Sequence, residues 1–311
     1  MKPETPRYVI ICPVRDEEKY LSAAIKSIAA QSIHPVEYIL VDDGSTDKTP
    51  DIIKKACEKY PWIHCVKRQD RGERKIGSGV VEAFYDGYGT IRSKDYDYIC
   101  KMDGDLTVGP LYFETLFDKF RKDPCLGAGS GKLFLQLDDG GLTEERITDE
   151  SVLGGVLCLS KKCFEEIGGF VREVMWDGIT FHRCRMEGYR TRSFRDPQLR
   201  IYDHRIMGSS YKSIYHGRLR WGWGQYFMGT HPLYILAVGF YRMLERPFVI
   251  GGILIMLGYL KGLITKTPRY DYPGFRRSLH AWQLERLRLG RRIETIPSAL
   301  SEGKSKDASS D

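Results

Sequence analysis

The sequence predicts an α/β fold, with a mainly parallel sheet flanked by helices and a helical region after it. Short runs of strand-forming residues alternate with helical patterns of 12–15 residues up to about residue 121. Strands that alternate with helices of this length indicate βαβ units and parallel strands. Two of the strand-like runs end in aspartates, and from Trp221 onward the composition becomes aromatic and apolar.

The first part of the chain contains four predicted strands and four predicted helices. Each predicted helix has apolar residues at helical spacing, and the last one has Pro110 at its first turn, where proline is tolerated. The predicted strands are 8–12, 38–41, 63–66 and 96–102, and the predicted helices are 18–31, 46–60, 78–91 and 110–121.

The pattern is looser after Asp123. We expect a polar loop over 138–150, a short helix over 160–167 that ends at Gly168-Gly169, and a helix over 177–189. Extended segments are predicted over 127–135, 190–194 and 199–202.

The third part contains two long uncharged stretches. No residue from 221 to 241 is formally charged, and 247–260 is again apolar. The second stretch would be about 21 Å long as a helix, whereas a bilayer core is about 30 Å thick. A helical hairpin lying in the membrane interface is therefore favoured, with a buried helical pair or a true membrane span as alternatives.

Charge is unevenly distributed along the chain. Residues 182–292 contain 21 Lys and Arg against 6 Asp and Glu, a net +15, which leaves −8 for the rest of a chain whose total is +7. A basic region interleaved with apolar stretches suits anionic lipid better than nucleic acid. We expect a catalytic domain over 1–205, a basic membrane-interface and acceptor-side region over 206–292, and a disordered polar tail over 293–311. The oligomeric state is left open.

The eight cysteines form no CxxC pair, so zinc-binding spacing is absent. Cys12 and Cys100 lie inside apolar runs and are expected to be buried. The N-terminus has no apolar signal core. This usage is typical of a reducing compartment, the cytosol.

Two aspartate clusters follow predicted strands. Asp42 and Asp43 (the first acidic cluster) follow 38–41, and Asp103 and Asp105 (the second acidic cluster) follow 96–102. Ligands of open α/β sheets bind at the carboxyl ends of strands, and carboxylates suit hard cations such as Mg²⁺ or Mn²⁺. The pattern indicates a site for one divalent ion and a diphosphate, although acidic turn residues are the plainer alternative.

Together these segments resemble a known family. Pro13-Val14-Arg15-Asp16-Glu17-Glu18, Asp42-Asp43-Gly44-Ser45 and Met102-Asp103-Gly104-Asp105 match, in order and spacing, the pattern of family 2 glycosyltransferases with the GT-A (Rossmann-like) fold. The resemblance covers roughly residues 7–205. It implies an inverting enzyme that uses a nucleotide-sugar donor, most commonly a UDP-sugar, with GDP left open.

The resemblance also implies donor-side roles for individual residues. Pro13 and Val14 would line the nucleobase pocket with Glu17 nearby, and Asp42 or Asp43 would hydrogen-bond the base or ribose. Asp16 stands where many members have Asn.

Further donor and metal roles are implied downstream. Asp103 would contact the ribose or support the metal, and Asp105 would bind Mn²⁺ or Mg²⁺, with His204 as a possible additional ligand. Gly77 would approach the diphosphate, and Gly155 belongs to the segment under the donor sugar; simple turns into helices are the alternatives for both. Arg205 is a candidate phosphate ligand or an ordinary surface charge.

The implied general base is Asp177, which follows Trp176 where the family usually has Glu. A helix N-cap is its structural alternative.

The sequence thus predicts a metal-dependent glycosyltransferase that acts on a lipid-linked or polysaccharide acceptor at the cytoplasmic face of the cell membrane. A sugar-nucleotide pyrophosphorylase and a non-catalytic membrane-bound scaffold of the same fold are the alternatives. The former would need a basic, glycine-rich loop where this chain has Arg15-Asp16-Glu17-Glu18.

Overall fold

A computed structural model describes residues 5–70, 72, 78–136, 141–145, 147–205, 213–244 and 247–289. The chain divides into two compact units. The first contains residues 1–173 and 189–206, and the second contains 174–188 and 207–311. The segment 174–188, which sequence analysis assigns to the catalytic domain, therefore groups with the C-terminal region.

A mixed sheet forms the centre of the first unit. Its described strands are β1 (Tyr8–Val14), β2 (Glu37–Asp42), β3 (Ile63–Lys67), β4 (Tyr98–Met102), β5 (Leu106–Val108), β6 (Leu126–Gln136), β7 (Leu142–Glu144), β8 (Val156–Ser160), β9 (Arg190–Phe194) and β10 (Arg200–Asp203). The strand order is β3-β2-β1-β4-β8-β6-β10-β5, and β7 and β9 also pair with β6. Strands β3, β2, β1 and β4 run parallel to one another, whereas β8 pairs antiparallel with both β4 and β6.

Helices connect the parallel strands, which confirms the predicted α/β class. The longer helices among them contain both polar and apolar residues, and the residues that they bury are mainly apolar, as expected for amphipathic helices. Described helices of this unit are α1 (Leu21–Ala29), α2 (Thr49–Lys59), α3 (Ser78–Tyr88), α4 (Tyr112–Lys122) and α5 (Lys161–Glu166). The α5 helix begins where Ser160 accepts a hydrogen bond from the Cys163 N–H, and it is followed by Gly168 and Gly169 at positive φ.

Three strands differ from the sequence-based expectation. Strand β8 follows a Gly-Gly turn that we expected to lead into the helix at 160, and it occupies the centre of the sheet. The three-residue strand β7 lies inside the predicted polar loop, and β5 follows Asp105 directly. Runs this short carry almost no periodicity, so only their pairing partners identify them as strands.

The core of the first unit lies between the sheet and α1, α2 and α4. Strands β1 and β2 are buried along nearly their whole length, as expected for parallel strands covered on both faces. Aromatic side chains of α4 pack on β1 and β4: the rings of Tyr8 and Phe113 stack at 4.7 Å, and those of Tyr98 and Phe117 stack at 4.2 Å.

The second unit is helical in its described part. It contains α6 (Trp176–Met186), α7 (Ile214–Met228), α8 (Pro232–Arg242), α9 (Ile250–Ile264) and α10 (Phe275–Leu289). A small apolar cluster of Tyr226, Ile235, Ile255 and Tyr259 joins α7, α8 and α9. The predicted helix over 177–189 is the shorter α6, which starts one residue earlier and ends at Met186.

Glycines form the contacts between α9 and its neighbours. A Cβ added at Gly258 would lie 2.0 Å from the carbonyl oxygen of Leu219 in α7, and one at Gly252 would lie 2.2 Å from that of Gly239 in α8. A Cβ at Gly222 would likewise lie 2.0 Å from the Ile255 oxygen. The backbones of these helices therefore touch, and their close approach depends on the missing side chains.

Many large apolar side chains of the second unit are exposed, especially in α8 and α9. Of the 17 exposed large apolar side chains in the described residues, 15 belong to the second unit. They are Tyr215, Leu233, Leu236, Phe240, Leu244, Phe248, Val249, Ile250, Ile253, Leu257, Leu260, Leu263, Ile264, Leu284 and Leu287, which we call the apolar face. Within the described ranges, every helix is too short or too polar to cross a bilayer.

Candidate donor-binding site

The carboxyl ends of β2, β1 and β4 bring the two acidic clusters to one edge of the sheet. Val14 at the end of β1 pairs with Asp42, and the Asp43 N–H donates to the Val14 carbonyl over 2.9 Å. On the other side of β1, a Cβ added at Gly104 would lie 2.6 Å from a Val14 methyl group. Pro13 and Val14 therefore lie between the clusters.

The strand order also separates the two clusters along the edge. Strands β2 and β4 lie on either side of β1, and adjacent strands are about 4.8 Å apart, so the backbones of the two clusters lie roughly 10 Å from each other. The edge therefore has a side carrying Asp42 and Asp43 and a side carrying Asp103 and Asp105. Coordination of one ion by both clusters stays a prediction.

Ordered backbone and arginine contacts hold the first acidic cluster. The buried Asp42 carboxylate accepts a hydrogen bond from the Ser45 N–H at 2.9 Å, across the turn that contains Gly44 at positive φ. Asp43 forms an ion pair with Arg68, which also contacts Asp86.

Arg15 ties the β1 end to this side of the edge. Its guanidinium donates to the Asp43 carbonyl over 2.7 Å and to the Asp70 carboxylate over 2.8 Å. Both acidic residues of the first cluster are thus fixed in place before any ligand binds.

Lys101 and Gly155 support Asp103. The Lys101 side chain is only 4% exposed, and its ammonium group binds the Asp103 carboxylate and, over 2.9 Å, the Gly154 carbonyl. The Asp103 N–H donates to the Gly155 carbonyl over 2.8 Å, and a Cβ at Gly155 would lie 3.2 Å from the second Asp103 oxygen. The structure therefore brings Gly155 next to Asp103, and its role under the donor sugar stays a prediction.

Arg205 connects Asp105 with Glu17. Its Nε donates to the Asp105 carboxylate and its Nη2 to the Glu17 carboxylate. The side chains of Arg205 and Asp105 are each 17% exposed, and the Arg205 guanidinium lies 5.3 Å from the Tyr20 ring centre. Arg205 is thus an internal counter-charge rather than an ordinary surface charge.

His204 lies on the same side of the edge as Asp105. Its Nε2 is 2.7 Å from the Thr107 hydroxyl. In the β10–β5 pairing, Asp203 lies opposite Leu106, the residue after Asp105. The register thus brings His204, which follows β10, close to Asp105, which precedes β5. The Nε2 atom of His204, however, already contacts the Thr107 hydroxyl.

Charge coupling links the carboxylates of this side. Burial raises the pKa of Asp203, and the negative charges of Asp105 and Asp103 raise it further. Although burial lowers the pKa of Arg205, the Asp105 and Glu17 carboxylates raise it above its usual value. Asp103, Asp105 and Asp203 therefore form a concentration of negative charge that a cation would stabilise.

The donor atoms fit a hard cation in kind. Carboxylate oxygens are the ligands that Mg²⁺ and Mn²⁺ prefer, and Asp105 and Asp103 present them next to Asp203. The chain's own cations, Lys101 and Arg205, bind one oxygen of Asp103 and of Asp105. Among the residues that the structure describes, no three His, Cys, Asp or Glu side chains are already arranged as a metal site.

Two further predicted site residues are not among the described residues of the first unit. Gly77 lies outside the described residues. Asp177 belongs to the second unit, at the second position of α6, and its carboxylate accepts the N–H of Gly178 over 2.8 Å. Met175 precedes the helix, so the N-cap alternative for Asp177 is wrong. Its role as general base stays a prediction.

Sequence reasoning missed the parts played by Lys101 and Arg205. Lys101 is the one charged residue in an apolar strand, which is a usable signal for a buried ion pair. For Arg205 the sequence offers no such signal, because its partners are 100 and 188 residues away.

Part of the chain is similar in sequence to known proteins. A family model described as glycosyl transferase family 2 matches residues 9–140. Chondroitin synthase of Escherichia coli is 30% identical over 121 residues, 39% of this chain and 16% of that protein. The poly-beta-1,6-N-acetyl-D-glucosamine synthase of Staphylococcus aureus strain COL is 27% identical over 120 residues, 37% of this chain and 26% of that protein. The chain thus matches about a quarter or less of these relatives.

Two solved structures share the fold. The mannosyltransferase PcManGT from Pyrobaculum calidifontis, in complex with GDP-Man and Mn²⁺, has a TM-score of 0.52 at 16% identity and covers 98% of this chain and 81% of that one. GalNAc-T7, with UDP, GalNAc and Mn²⁺, has a TM-score of 0.56 at 12% identity and covers 91% of this chain and 58% of that one. These likenesses show the GT-A fold, and the matched segment shows that residues 9–140 are similar to glycosyltransferase family 2.

Proposed function

We propose that this protein is an inverting glycosyltransferase that moves a sugar from a nucleotide-sugar donor, a UDP-sugar in the first instance, to a glycan acceptor held at a membrane surface. The observation that carries the proposal is the edge formed by β2, β1 and β4, which presents the two acidic clusters on either side of Val14. A nucleoside diphosphate has the matching division into a base and ribose at one end and a charged diphosphate at the other.

The donor would lie along this edge. Pro13 and Val14 would contact the base, and Asp42 or Asp43 would accept hydrogen bonds from the base or ribose. Asp103, backed by Gly155 and held by Lys101, would serve the ribose or support the metal. The fixed contacts of Asp42 and Asp43 favour this role, because a preorganised site loses less entropy on binding.

The reaction is one displacement. Asp177 would take the proton of the acceptor hydroxyl as its oxygen attacks the anomeric carbon, and the bond from that carbon to the diphosphate oxygen would break. A general base within hydrogen-bond reach contributes roughly 10²–10⁴-fold. Attack on the face opposite the leaving group inverts the anomeric carbon.

A divalent ion, Mn²⁺ or Mg²⁺, would be held by Asp105 with support from Asp103, and His204 remains a candidate ligand. When bound, it would neutralise the charge that develops on the diphosphate leaving group. The two structural neighbours named above contain Mn²⁺ with a nucleotide or nucleotide sugar, which supports the assignment.

The second unit would contact the membrane surface that holds the acceptor. Its apolar face is accompanied by exposed basic residues, including Arg220, Lys261, Lys266, Arg276 and Arg277. Apolar side chains next to basic ones suit an anionic membrane surface. A lipid-linked or polysaccharide acceptor is consistent with this, and the names of the two synthases similar in sequence point to polysaccharide products.

We also propose that the protein acts at the cytoplasmic face of the cell membrane. The anionic cytoplasmic leaflet attracts basic segments, and the cysteine usage is typical of a reducing compartment. Cell fractionation followed by protease accessibility of intact and opened cells would test this placement.

The deciding experiment follows release of nucleotide and transfer of sugar from a panel of nucleotide sugars with Mn²⁺. We expect Asp105→Asn to abolish metal-dependent hydrolysis and transfer, and Asp177→Asn to abolish transfer while donor binding is retained. Circular dichroism would confirm that both variants are folded. Full activity of Asp105→Asn would refute the metal assignment, and release of pyrophosphate rather than nucleotide would indicate a pyrophosphorylase.

A further inference from the structure

Arg205 occupies a position that matters for cation binding. Its guanidinium lies between two carboxylates that come from different parts of the chain, Glu17 after β1 and Asp105 after β4. Arg205 itself follows β10, and its backbone N–H donates to the Asp203 carboxylate over 2.8 Å. The side chain therefore neutralises the same group of acids that would receive a metal ion.

The contact of Arg205 with the two carboxylates is largely buried, which strengthens its effect on cation binding. The Glu17 side chain is 4% exposed, and those of Asp105 and Arg205 are largely buried as well. In such surroundings charges are weakly screened, so a guanidinium and a divalent cation that share one carboxylate repel each other strongly. Removal of the guanidinium would leave two buried carboxylates without this counter-charge, which also favours a cation.

We propose that Arg205 is a built-in competitor of the divalent cation for Asp105, so that metal binding requires the guanidinium to leave this carboxylate. This inference rests on the proposed function, since it concerns the metal of the same site. Arg205 is a positioning residue in this view: it acts on the metal through Asp105 and holds the acids together while the cation is absent.

The test measures Mn²⁺ binding without nucleotide, by the electron paramagnetic resonance signal of free Mn²⁺, on the full chain. We expect Arg205→Gln to bind Mn²⁺ at least about tenfold more tightly than the wild type, within the range typical of coupled sites. The matched control is Arg195→Gln, which removes the same charge from an exposed pair with Glu144 and should bind like the wild type.

Two further variants keep the test decisive. Arg205→Lys keeps the charge but lacks the planar fork that spans two carboxylates, so it should show a smaller gain and also serves if Arg205→Gln does not fold. In the double variant Arg205→Gln, Asp105→Asn, the gain should disappear. The proposal is overturned if neither Arg205 variant exceeds Arg195→Gln, or if the gain persists without Asp105.

Thermal unfolding offers a second readout. Mn²⁺ should raise the Tm of Arg205→Gln more than that of the wild type, because a ligand that binds the folded state more tightly stabilises it more. This outcome can be separated from that of the proposed function. If Arg205→Gln binds Mn²⁺ more tightly than the wild type but the protein transfers no sugar, this inference stands and the proposed function fails. If the protein transfers sugar but Arg205→Gln binds Mn²⁺ like the wild type, this inference is overturned and the proposed function stands.

Discussion

Individual residues of the acidic edge are paired with cations supplied by the chain. Lys101 binds Asp103, Arg68 binds Asp43, and Arg205 binds Asp105 and Glu17. Burying a carboxylate without a partner is costly, so these pairs allow a strongly acidic site to exist in the folded protein before any ligand arrives. The proposed donor and metal would therefore bind to carboxylates that already have a counter-charge.

A glycine on β6 provides a prediction at this scale. A Cβ added at Gly131 would lie 1.5 Å from the Leu199 carbonyl oxygen, a backbone atom that cannot rotate away. We expect Gly131→Ala to lower the free energy of unfolding by about 3 kcal/mol or more, the upper range for overpacking. Denaturant unfolding followed by circular dichroism would measure it.

The matched control for this prediction is Gly109→Ala. A Cβ at Gly109 meets nothing within 4 Å, so its effect should stay within about 0.5 kcal/mol. Equal stability of the two variants would show that the approach of β6 to Leu199 is looser than the structure has it.

Residue types at this edge could be predicted, whereas their pairing could not. The strand-end position of Asp42 and Asp103 follows from local sequence alone, since the preceding runs are apolar and short. The two contacts of Arg205 depend on how β1, β4 and β10 are ordered in the sheet, and nothing near residue 205 encodes that order.

At the scale of elements, the βαβ part follows its sequence closely, and the later strands do not. Strands β1 to β4 lie between helices with clear periodicity, so each was predictable in kind and in place. Strand β8 is a five-residue apolar run bounded by glycines and lysines, and its assignment depends on pairing with β4 and β6. The turn before β8 nevertheless positions Gly155 against Asp103. A strand that sequence reasoning did not predict therefore also supports the site.

The packing of α6 on α10 provides a prediction at the element scale. His182 of α6 is buried, its Nε2 is 3.2 Å from the Ser278 hydroxyl, and the Phe275 ring lies edge-on at 5.0 Å. Burial, with a contribution from Arg185, lowers the pKa of His182 from 6.5 to about 3. Its Nδ1 is buried and has no hydrogen-bond partner among the described residues, so a protonated ring would be poorly accommodated.

The sign of the pH dependence follows from this pKa. Between pH 3 and 6.5 the unfolded state binds the proton and the folded state does not, so stability falls as the pH falls through this window. From pH 6.5 to 4.5 we expect the wild type to lose about 2 kcal/mol more than His182→Gln does. Tryptophan fluorescence suits the measurement, because Trp176, Trp221, Trp223 and Trp282 all belong to the second unit.

The control is His216→Gln, which removes an exposed histidine from the same unit and should leave the slope of stability against pH as in the wild type. Parallel curves for the wild type and His182→Gln would contradict the proposed burial of a neutral imidazole between α6 and α10.

For the whole molecule, the acidic cluster residues and the exposed apolar side chains belong to different units. The acidic edge of the sheet lies in the first unit, whereas the second unit is basic and carries nearly all the exposed large apolar side chains among the described residues. Exposed apolar side chains in this number are typical of an interaction surface. Helix α9 is about 22 Å long, less than the roughly 30 Å of a bilayer core.

Vesicle binding tests this division. We expect the wild type to float with vesicles that contain phosphatidylglycerol and to bind neutral phosphatidylcholine vesicles more weakly, because basic residues add about 1 kcal/mol each near an anionic surface. The double variant Phe248→Glu, Ile264→Glu changes two side chains that are 60% and 71% exposed and should lose at least about tenfold in binding per residue.

The control for vesicle binding is Leu111→Glu, an exposed apolar residue of the first unit, which should bind vesicles like the wild type. Two results would refute the membrane assignment: unchanged binding of the double variant, or a wild type that ignores vesicles and forms a dimer that the double variant loses. The second result would assign the apolar face to another copy of the chain.

The glycine contacts of α9 restrict how this helix can change over evolution. Where Gly252 and Gly258 meet neighbouring backbones, any side chain would force the helices apart, so these positions tolerate no replacement. On the exposed side, the proposed membrane surface would require only that the side chains be apolar and would impose no particular shape. We therefore expect related sequences to exchange aliphatic and aromatic residues freely on the exposed side of α9, whereas Gly252 and Gly258 should stay unchanged.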